Sequence, residues 1–398
     1  MTYTYEQLYY YLVHSYLDAR QAERNKDTQI LFEKDFEQNL SDLCRSINER
    51  SYKPSPPICF LITDPTRREV FAPSFRDRIV SHLLFNSIAP IFEKTFIYDS
   101  YSCRVGKGTL FGIDRMKKFL VSCSDNYKYL DETWVLSLDI SGYFMSIHRP
   151  TLYNIVNEVL DKYKTKPVEK GSEITWEENI DYDLCKYLID GILLRDPKQG
   201  CSILDSNNPE WKLLPPNKSL FNAPTDTGLP IGDLTSQLFS NVYLNKFDQF
   251  MKRELGCEYY GRYVDDSRVI SRDLEFLKSI IPLADQFLHD ELRLSLHPKK
   301  IQIQSAKYGI RFLGQIVKPY RTYISNRAIR AFKNAAWKIM QKEDPSQISD
   351  RDLAVVNSYL GFLQHVDEEK ITRKIISKFG LNLVLDFEND LSKAIKKT

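Results

Sequence analysis

Long apolar runs are missing from this chain of 398 residues. None approaches the roughly 18 to 20 residues that a membrane helix needs, so no membrane partnership is expected. The first twenty residues, MTYTYEQLYYYLVHSYLDAR, are amphipathic and charged where a signal peptide would carry an apolar core, and a cytoplasmic location is the expectation. The seven cysteines are odd in number and scattered without a CxxC pair, which speaks against a disulfide framework and a structural zinc site. The six histidines show neither HExxH nor finger spacing. Internal repeats and low-complexity segments are absent too.

What remains has the make-up of an ordinary globular protein, with 42% hydrophobic and 27% charged residues. The length suggests two or three structural units. A net charge of +2 says little about partners, but its distribution does. Residues 295–342 carry eleven Lys and Arg and no Asp or Glu, a pattern suited to following a phosphate backbone.

Residues 1–50 repeat apolar positions at helical spacing and predict a helical extension. SYKPSPPICFLI breaks that pattern with three prolines before a short strand. DRIVSHLLFNSIAPIF predicts a helix over 77–92 that Pro90 disturbs. The stretch 160–225 has a different texture: its first half is acidic, its second proline-rich, and it is expected to be an insertion. Beyond it, SQLFSNVYLNKFDQFMKREL and LEFLKSIIPLADQFLHDELRLSL predict helices, as does RAIRAFKNAAWKIMQK, with Ile329, Phe332, Ala336 and Ile339 on one face and Arg330 and Lys333 turned to a nucleic-acid backbone.

Chemistry is announced by YYGRYVDDSRVIS, residues 259–271, in which Asp265 and Asp266 interrupt two strand-like runs. Adjacent carboxylates in apolar surroundings raise each other's pKa unless a cation neutralises them. Neighbouring strand residues face opposite ways, but a tight hairpin turn lets both serve one site. A plain exposed turn would look the same. TWVLSLDISGYFMSI, however, delivers a third acid, Asp139, at the end of another apolar strand. Three carboxylates have the donors to hold two Mg²⁺ ions ~4 Å apart, the arrangement that clamps the attacking and leaving oxygens of a phosphoryl displacement.

Tyr263-Val264-Asp265-Asp266 resembles the YxDD box of reverse transcriptases, and Asp139 with Phe144 five residues on resembles their first aspartate motif. The other motifs follow in family order over roughly residues 55–320: RREVFAPSFRDRIV and SYSCRVGKGT resemble the fingers, GLPIGDLTSQ the loop under the incoming nucleotide, LSLHPKKIQI the lysine-bearing segment, and FLGQIV the primer-grip turn. The resemblance implies an α+β right-hand polymerase: an N-terminal helical extension (1–50), fingers (51–135), a palm with an antiparallel sheet (136–320, insertion about 160–225), and a helical thumb and tail (321–398).

The family's roles fall on particular residues. Asp139 and Asp265 correspond to the principal metal ligands, Asp266 to the more variable third acid, and the Ile140 carbonyl to a backbone ligand, for two Mg²⁺ ions with Mn²⁺ as a substitute. Phe144 corresponds to the steric gate that favours dNTPs. Arg68 and Arg104, together with Arg67 and Lys107, are the candidates to pair with the triphosphate. Lys300, with Lys299 adjacent, corresponds to the lysine that protonates the pyrophosphate leaving group. Tyr263 belongs to the catalytic box.

GLPIGDLTSQ departs from the retroviral pattern LPQGxxxSP: Ile231 replaces Gln, and Gln237 replaces Pro. Ile cannot make the hydrogen bonds that Gln makes around the nucleotide, which should loosen selection of the correct base. The loop, with LLPPNKSLFNAPTDTG upstream, resembles the reverse transcriptases of bacterial diversity-generating retroelements, and more broadly bacterial enzymes of anti-phage defence. The implied activity is RNA-directed DNA synthesis on a structured noncoding RNA, with template RNA, nascent DNA and dNTPs as partners and an accessory protein or a second copy as a further one. The alternatives are an RNA-binding scaffold without catalysis, and template-independent or protein-primed synthesis in a defence complex.

Overall fold

The computed structural model describes residues 1–21, 26–63, 66–342, 344–366 and 369–396. Its centre is a four-stranded antiparallel sheet built from β3 (Trp134–Leu138), β5 (Tyr259–Tyr263), β6 (Asp266–Ser271) and β7 (Gln302–Ser305), in the order β5-β6-β3-β7. β3, in the interior of the sheet, is mostly apolar because both of its faces are covered, whereas the edge strand β7 is half polar. Leu136, Leu138, Tyr260 and Val269 enter the large core. Val135 and Ile270 point the other way, into a second cluster with Ile113, Met116, Phe119 and Leu120 of the helix Thr109–Cys123.

The helix Phe75–Glu93 runs through the large core. Ser74 caps it, its hydroxyl accepting from the Asp77 amide while donating to the Asp77 carboxylate. The expected disturbance at Pro90 does not occur, and the helix continues to Glu93. Pro90 is exposed in the last turn, and the carbonyl it leaves unpaired, on exposed Asn86, faces water.

A second sheet sets β1 (Ile58–Ile62) between antiparallel β2 (Arg68–Ala72) and a short parallel strand, β4 (Ser202–Ile203). The stretch 160–225 is therefore woven into the body of the molecule. Trp176, Ile180, Tyr182 and Leu188 fill the large core, while β4 extends the sheet that carries Arg68. The N-terminal helices share that core through Leu8, Leu12, Leu40 and Ile47, and the Tyr3 amide donates to the Asp181 carboxylate at 3.0 Å.

After β7, a three-stranded sheet of β8 (Ile310–Phe312), β9 (Gln315–Lys318) and β10 (Arg321–Ile324) leads to the C-terminal helices. There Phe332, Ala336 and Ile339 of the helix Asn326–Met340 join Val356, Leu360 and Ile375 in a core of their own, and Ile329 packs half-buried beside them. Arg330 and Lys333 are on the exposed side. This mixed arrangement, a helix-backed antiparallel sheet followed by a helical unit with its own core, is the α+β layout expected of a right-hand polymerase. Among the described residues no helix is long and apolar enough to cross a membrane.

Candidate active site

The sheet register brings the chemistry together. Leu138 pairs with Ser267 on one side of β3 and Ser137 with Gln302 on the other. One step further along the β3–β6 register, Asp139 lies across from Asp266, while on the other flank the turn Pro298–Lys300 that leads into β7 brings the Lys300 ammonium to the Asp139 carboxylate. Beyond β3 the chain stays paired: the His297 amide donates to the Asp139 carbonyl at 2.8 Å, and the Ser141 amide to Ser295. Gly142 then turns the chain at φ +53°, where a Cβ would stand 2.9 Å from the Asn217 carbonyl.

Tyr263 pairs with Asp266, so Val264 and Asp265 are the two central residues of the β5–β6 turn. Val264 has φ +55° and Asp265 does not share the positive sign, as a type II′ hairpin turn requires at its first central position. For a β-branched residue this conformation is strained and must be held by its surroundings.

Each carboxylate has its own environment. Lys300 Nζ lies 2.7 and 2.9 Å from the two oxygens of Asp139. Lys299 is exposed and its amide turns to the His297 ring, so the geometry selects Lys300. Asp266 is paired with Arg268, whose guanidinium also donates to the Arg311 carbonyl at 3.0 and 2.7 Å. Burial pushes the Asp266 carboxyl up, against the pull of Arg268. Asp265 forms no ion pair among the described residues, and its carboxyl is pushed up to about 6, first by burial and then by the charge on Asp139.

Residues around the expected nucleotide pocket also converge. The Leu229 amide donates to the Phe144 carbonyl and the Phe71 amide to the Ile231 carbonyl, each at 2.8 Å. Phe144 and Ile231 then pack in one small cluster with Phe71, Met145 and Leu220. Gly232 lets this loop lie against β2, since a Cβ there would meet Val70 at 2.8 Å. Arg68 is exposed at the start of β2, while Arg67 is taken up by Glu210 at 2.6 Å. Gln237 is exposed in the first turn of the helix Leu234–Gln249. Tyr263 packs beside Tyr101 and Phe312.

Arg104 and Lys107 are engaged inside the fold. Arg104 is held by Glu93 at 2.8 Å and by the Ile97 and Ser100 carbonyls at 2.7 and 2.8 Å, with its side chain only 7% exposed. Lys107 Nζ donates to the Tyr98 carbonyl and sits over the Tyr98 ring, its pKa brought down to about 8 by burial and then by Arg104. The structure thus gathers Asp139, Asp265, Asp266 and Lys300 at one end of the palm sheet, and Phe144 with Ile231 in a neighbouring cluster. The guanidinium of Arg104 is spent on its own loop.

Arg268 and the buried Arg262–Asp248 pair escaped the sequence reading. Their signal was present: an arginine stands inside each of two otherwise apolar strands, three residues before Asp265 and two after Asp266. Among the described residues no three His, Cys, Asp or Glu side chains stand close enough to hold an ion as they are. Lys300 and Arg268 occupy two of the three carboxylates.

Residues 201–317 match the family model described as reverse transcriptase (RNA-dependent DNA polymerase). That span includes Ile231, Gln237, Asp265, Asp266 and Lys300; Asp139 precedes it. A curated relative, Protein YkfC of Escherichia coli (strain K12), is 25% identical over 184 residues, 46% of this chain and 37% of that protein. The chain therefore spans well under half of the curated relative it matches. Among solved structures it is similar to apo telomerase from Candida tropicalis, with a TM-score of 0.49, 11% identity, and coverage of 83% of this chain and 59% of that one. Telomerase from Candida albicans in complex with a TWJ fragment of telomeric RNA gives a TM-score of 0.45 and 11% identity, covering 89% and 62%.

Proposed function

We propose, from the reverse-transcriptase match over residues 201–317, that the protein is an RNA-directed DNA polymerase that extends a primer with dNTPs on an RNA template. The observation that carries this reading is the convergence of Asp139, Asp265, Asp266 and Lys300 on one end of the palm sheet from three separate strands.

The donor set suits divalent magnesium or manganese: carboxylate oxygens with a backbone carbonyl at Ile140, all hard ligands. Asp265, half-buried and raised toward neutrality, is the group such a cation would settle. Asp139, Asp265 and Asp266 would hold the ions, which when bound supply charge neutralisation for the attacking hydroxyl and the leaving pyrophosphate. The protein's own residues do the rest. Lys300 Nζ, released from Asp139, is placed to give a proton to the departing pyrophosphate. Phe144 closes the pocket against a ribose 2′-hydroxyl. Ile231 leaves that pocket without the polar contact a glutamine would provide.

The finer assignment rests on the loop GLPIGDLTSQ and its upstream segment: copying of a structured noncoding RNA into cDNA by a cytoplasmic bacterial enzyme, in a diversity-generating retroelement or an anti-phage defence system, with an accessory protein or a second copy as partner. The neutralisation of Asp139 and Asp266 by Lys300 and Arg268 favours one competing reading, an RNA-binding scaffold whose carboxylates are settled without ions. Incorporation of labelled dNTPs by the purified protein on the RNA that co-purifies with it separates the two. Loss of incorporation in the Asp265→Asn, Asp266→Asn double variant supports the polymerase; unchanged incorporation in that variant removes this site, and no incorporation by the native chain leaves the scaffold.

A further inference from the structure

Among the described residues Arg262 is one of the largest fully buried side chains, and the position of its guanidinium relative to the catalytic turn gives it a use. Its Nε and Nη2 grip the two oxygens of Asp248, on the helix Leu234–Gln249, at 2.7 and 2.6 Å. The Tyr260 hydroxyl donates to the same carboxylate at 2.7 Å. Both charged side chains are sealed from solvent, 1% and 0% exposed. The remaining nitrogen, Nη1, donates to the carbonyl of Val264 at 2.6 Å. That carbonyl belongs to the strained residue of the turn, and the peptide it closes leads directly into Asp265.

Arg262 also reaches the fingers side. Its Nη2 donates to the Ser100 hydroxyl at 3.3 Å, and its own amide and carbonyl pair with Asp99 and Tyr101 at 2.9 and 3.0 Å. Asn241, within 3.4 Å of Nη1, donates to the Ser102 carbonyl at 2.8 Å. The segment 99–102 thus lies along the edge of β5, and it continues into Arg104.

We propose that Arg262, oriented by Asp248 and Tyr260, is a positioning residue: it holds the Val264 peptide in its left-handed conformation, so aiming the Asp265 carboxylate, and locks that turn to the 99–102 segment. The inference rests on the polymerase reading above. Burying an ion pair costs desolvation that is recovered only with close geometry and further hydrogen bonds, so a pair used merely as filling would be replaceable by apolar side chains. Here the planar fork serves three directions at once, which a lysine ammonium cannot do.

The test compares native protein with Arg262→Lys and Tyr260→Phe in two measurements. In steady-state dNTP incorporation, Arg262→Lys should lose about 100-fold in kcat, the order expected for a small misplacement of a reacting group, with the half-saturating dNTP concentration and RNA affinity within about twofold. In hydrogen exchange, the amides of 259–271 and 99–104 should exchange faster while the thumb helix Asn326–Met340 is unchanged. Tyr260→Phe, which removes one hydroxyl and is the variant to rely on if Arg262→Lys does not fold, should shift both readouts the same way by a smaller factor. A native kcat per folded molecule with unaltered exchange at the turn overturns the proposal, and so does a loss of activity matched by faster exchange throughout. If the native protein incorporates nothing, the polymerase reading fails, while the exchange pattern still decides whether Arg262 holds the turn.

Discussion

Lys300 Nζ and the Asp139 carboxylate meet across the palm sheet at 2.7 and 2.9 Å, joining residues 161 positions apart in the chain. The short turn Pro298–Lys300 between the Asp139–His297 pairing and β7 sets this pair, and the half-exposed position of Lys300 leaves it free to move toward a bound nucleotide. Exposed ion pairs add little to stability. Lys300→Met is therefore expected to leave the melting temperature nearly unchanged while lowering the rate of dNTP incorporation about 100-fold, the lower end of what a general acid contributes. Thermal melting beside single-nucleotide incorporation kinetics checks it, and a rate within threefold of native would rule Lys300 out as proton donor.

The two adjacent acids should differ in what they tolerate. Asp266 is tied to Arg268 and through it to the Arg311 carbonyl, whereas Asp265 is half-buried and has no ionic partner among the described residues. Asp265→Asn is expected to remove about 10²–10³-fold or more of activity, and Asp266→Asn distinctly less. Equal losses in the two single variants would show that the partners in the fold do not separate their roles.

Phe144 and Ile231 share one apolar cluster beside the turn. Phe144→Ala should admit ribonucleotides, raising incorporation of an NTP relative to its dNTP by about tenfold or more, because a cavity opens where the 2′-hydroxyl would collide. Ile231→Gln should lower misincorporation severalfold, since one restored hydrogen bond is worth on the order of 1 kcal/mol. Sequencing of products made by the two variants reads both effects; an unchanged error spectrum in Ile231→Gln counts against the loop as the source of infidelity.

The C-terminal helices have a pH-sensitive cap. Lys342 and then Ser349 hold the Asp352 carboxyl down to about 2, below its ordinary value of 3.8. Because the folded value is the lower one, the unfolded chain binds the proton first, and the stability contributed by Asp352 is complete above about pH 4 and lost as the pH falls toward 2. The gap in melting temperature between native protein and Asp352→Asn should narrow across that window. A gap that stays constant from pH 6 to pH 2 would exclude the contact.

Much of this architecture was legible because local pattern encodes local structure. The apolar run before Asp139 specified a strand, and the aromatic and β-branched flanks of Val264–Asp265 specified a hairpin with the acids at its turn. Eleven cations over 295–342, with no acid interspersed among them, marked the segment that becomes the turn bearing Lys300, the β8–β10 sheet and the exposed face of the helix Asn326–Met340.

What only the tertiary structure decided is which partner each charged group finds. Lys300 rather than Lys299 faces Asp139 because the turn Pro298–Lys300, anchored by the His297 amide on the Asp139 carbonyl, brings the second of the two lysines to the carboxylate. Arg104 looked like a free cation, yet its loop folds back so that Glu93 and two carbonyls use up its donors. The acidic stretch from 160 was expected as an insertion, and its apolar minority, Trp176 and Tyr182 among them, helps to complete the core. Arg262 and Arg268, which the strand pattern gave no reason to single out, find their partners in Asp248 and Asp266. A charge at a given position specifies only that a partner is needed, and in a folded chain that partner is chosen by strand register and helix packing over distances no local pattern spans.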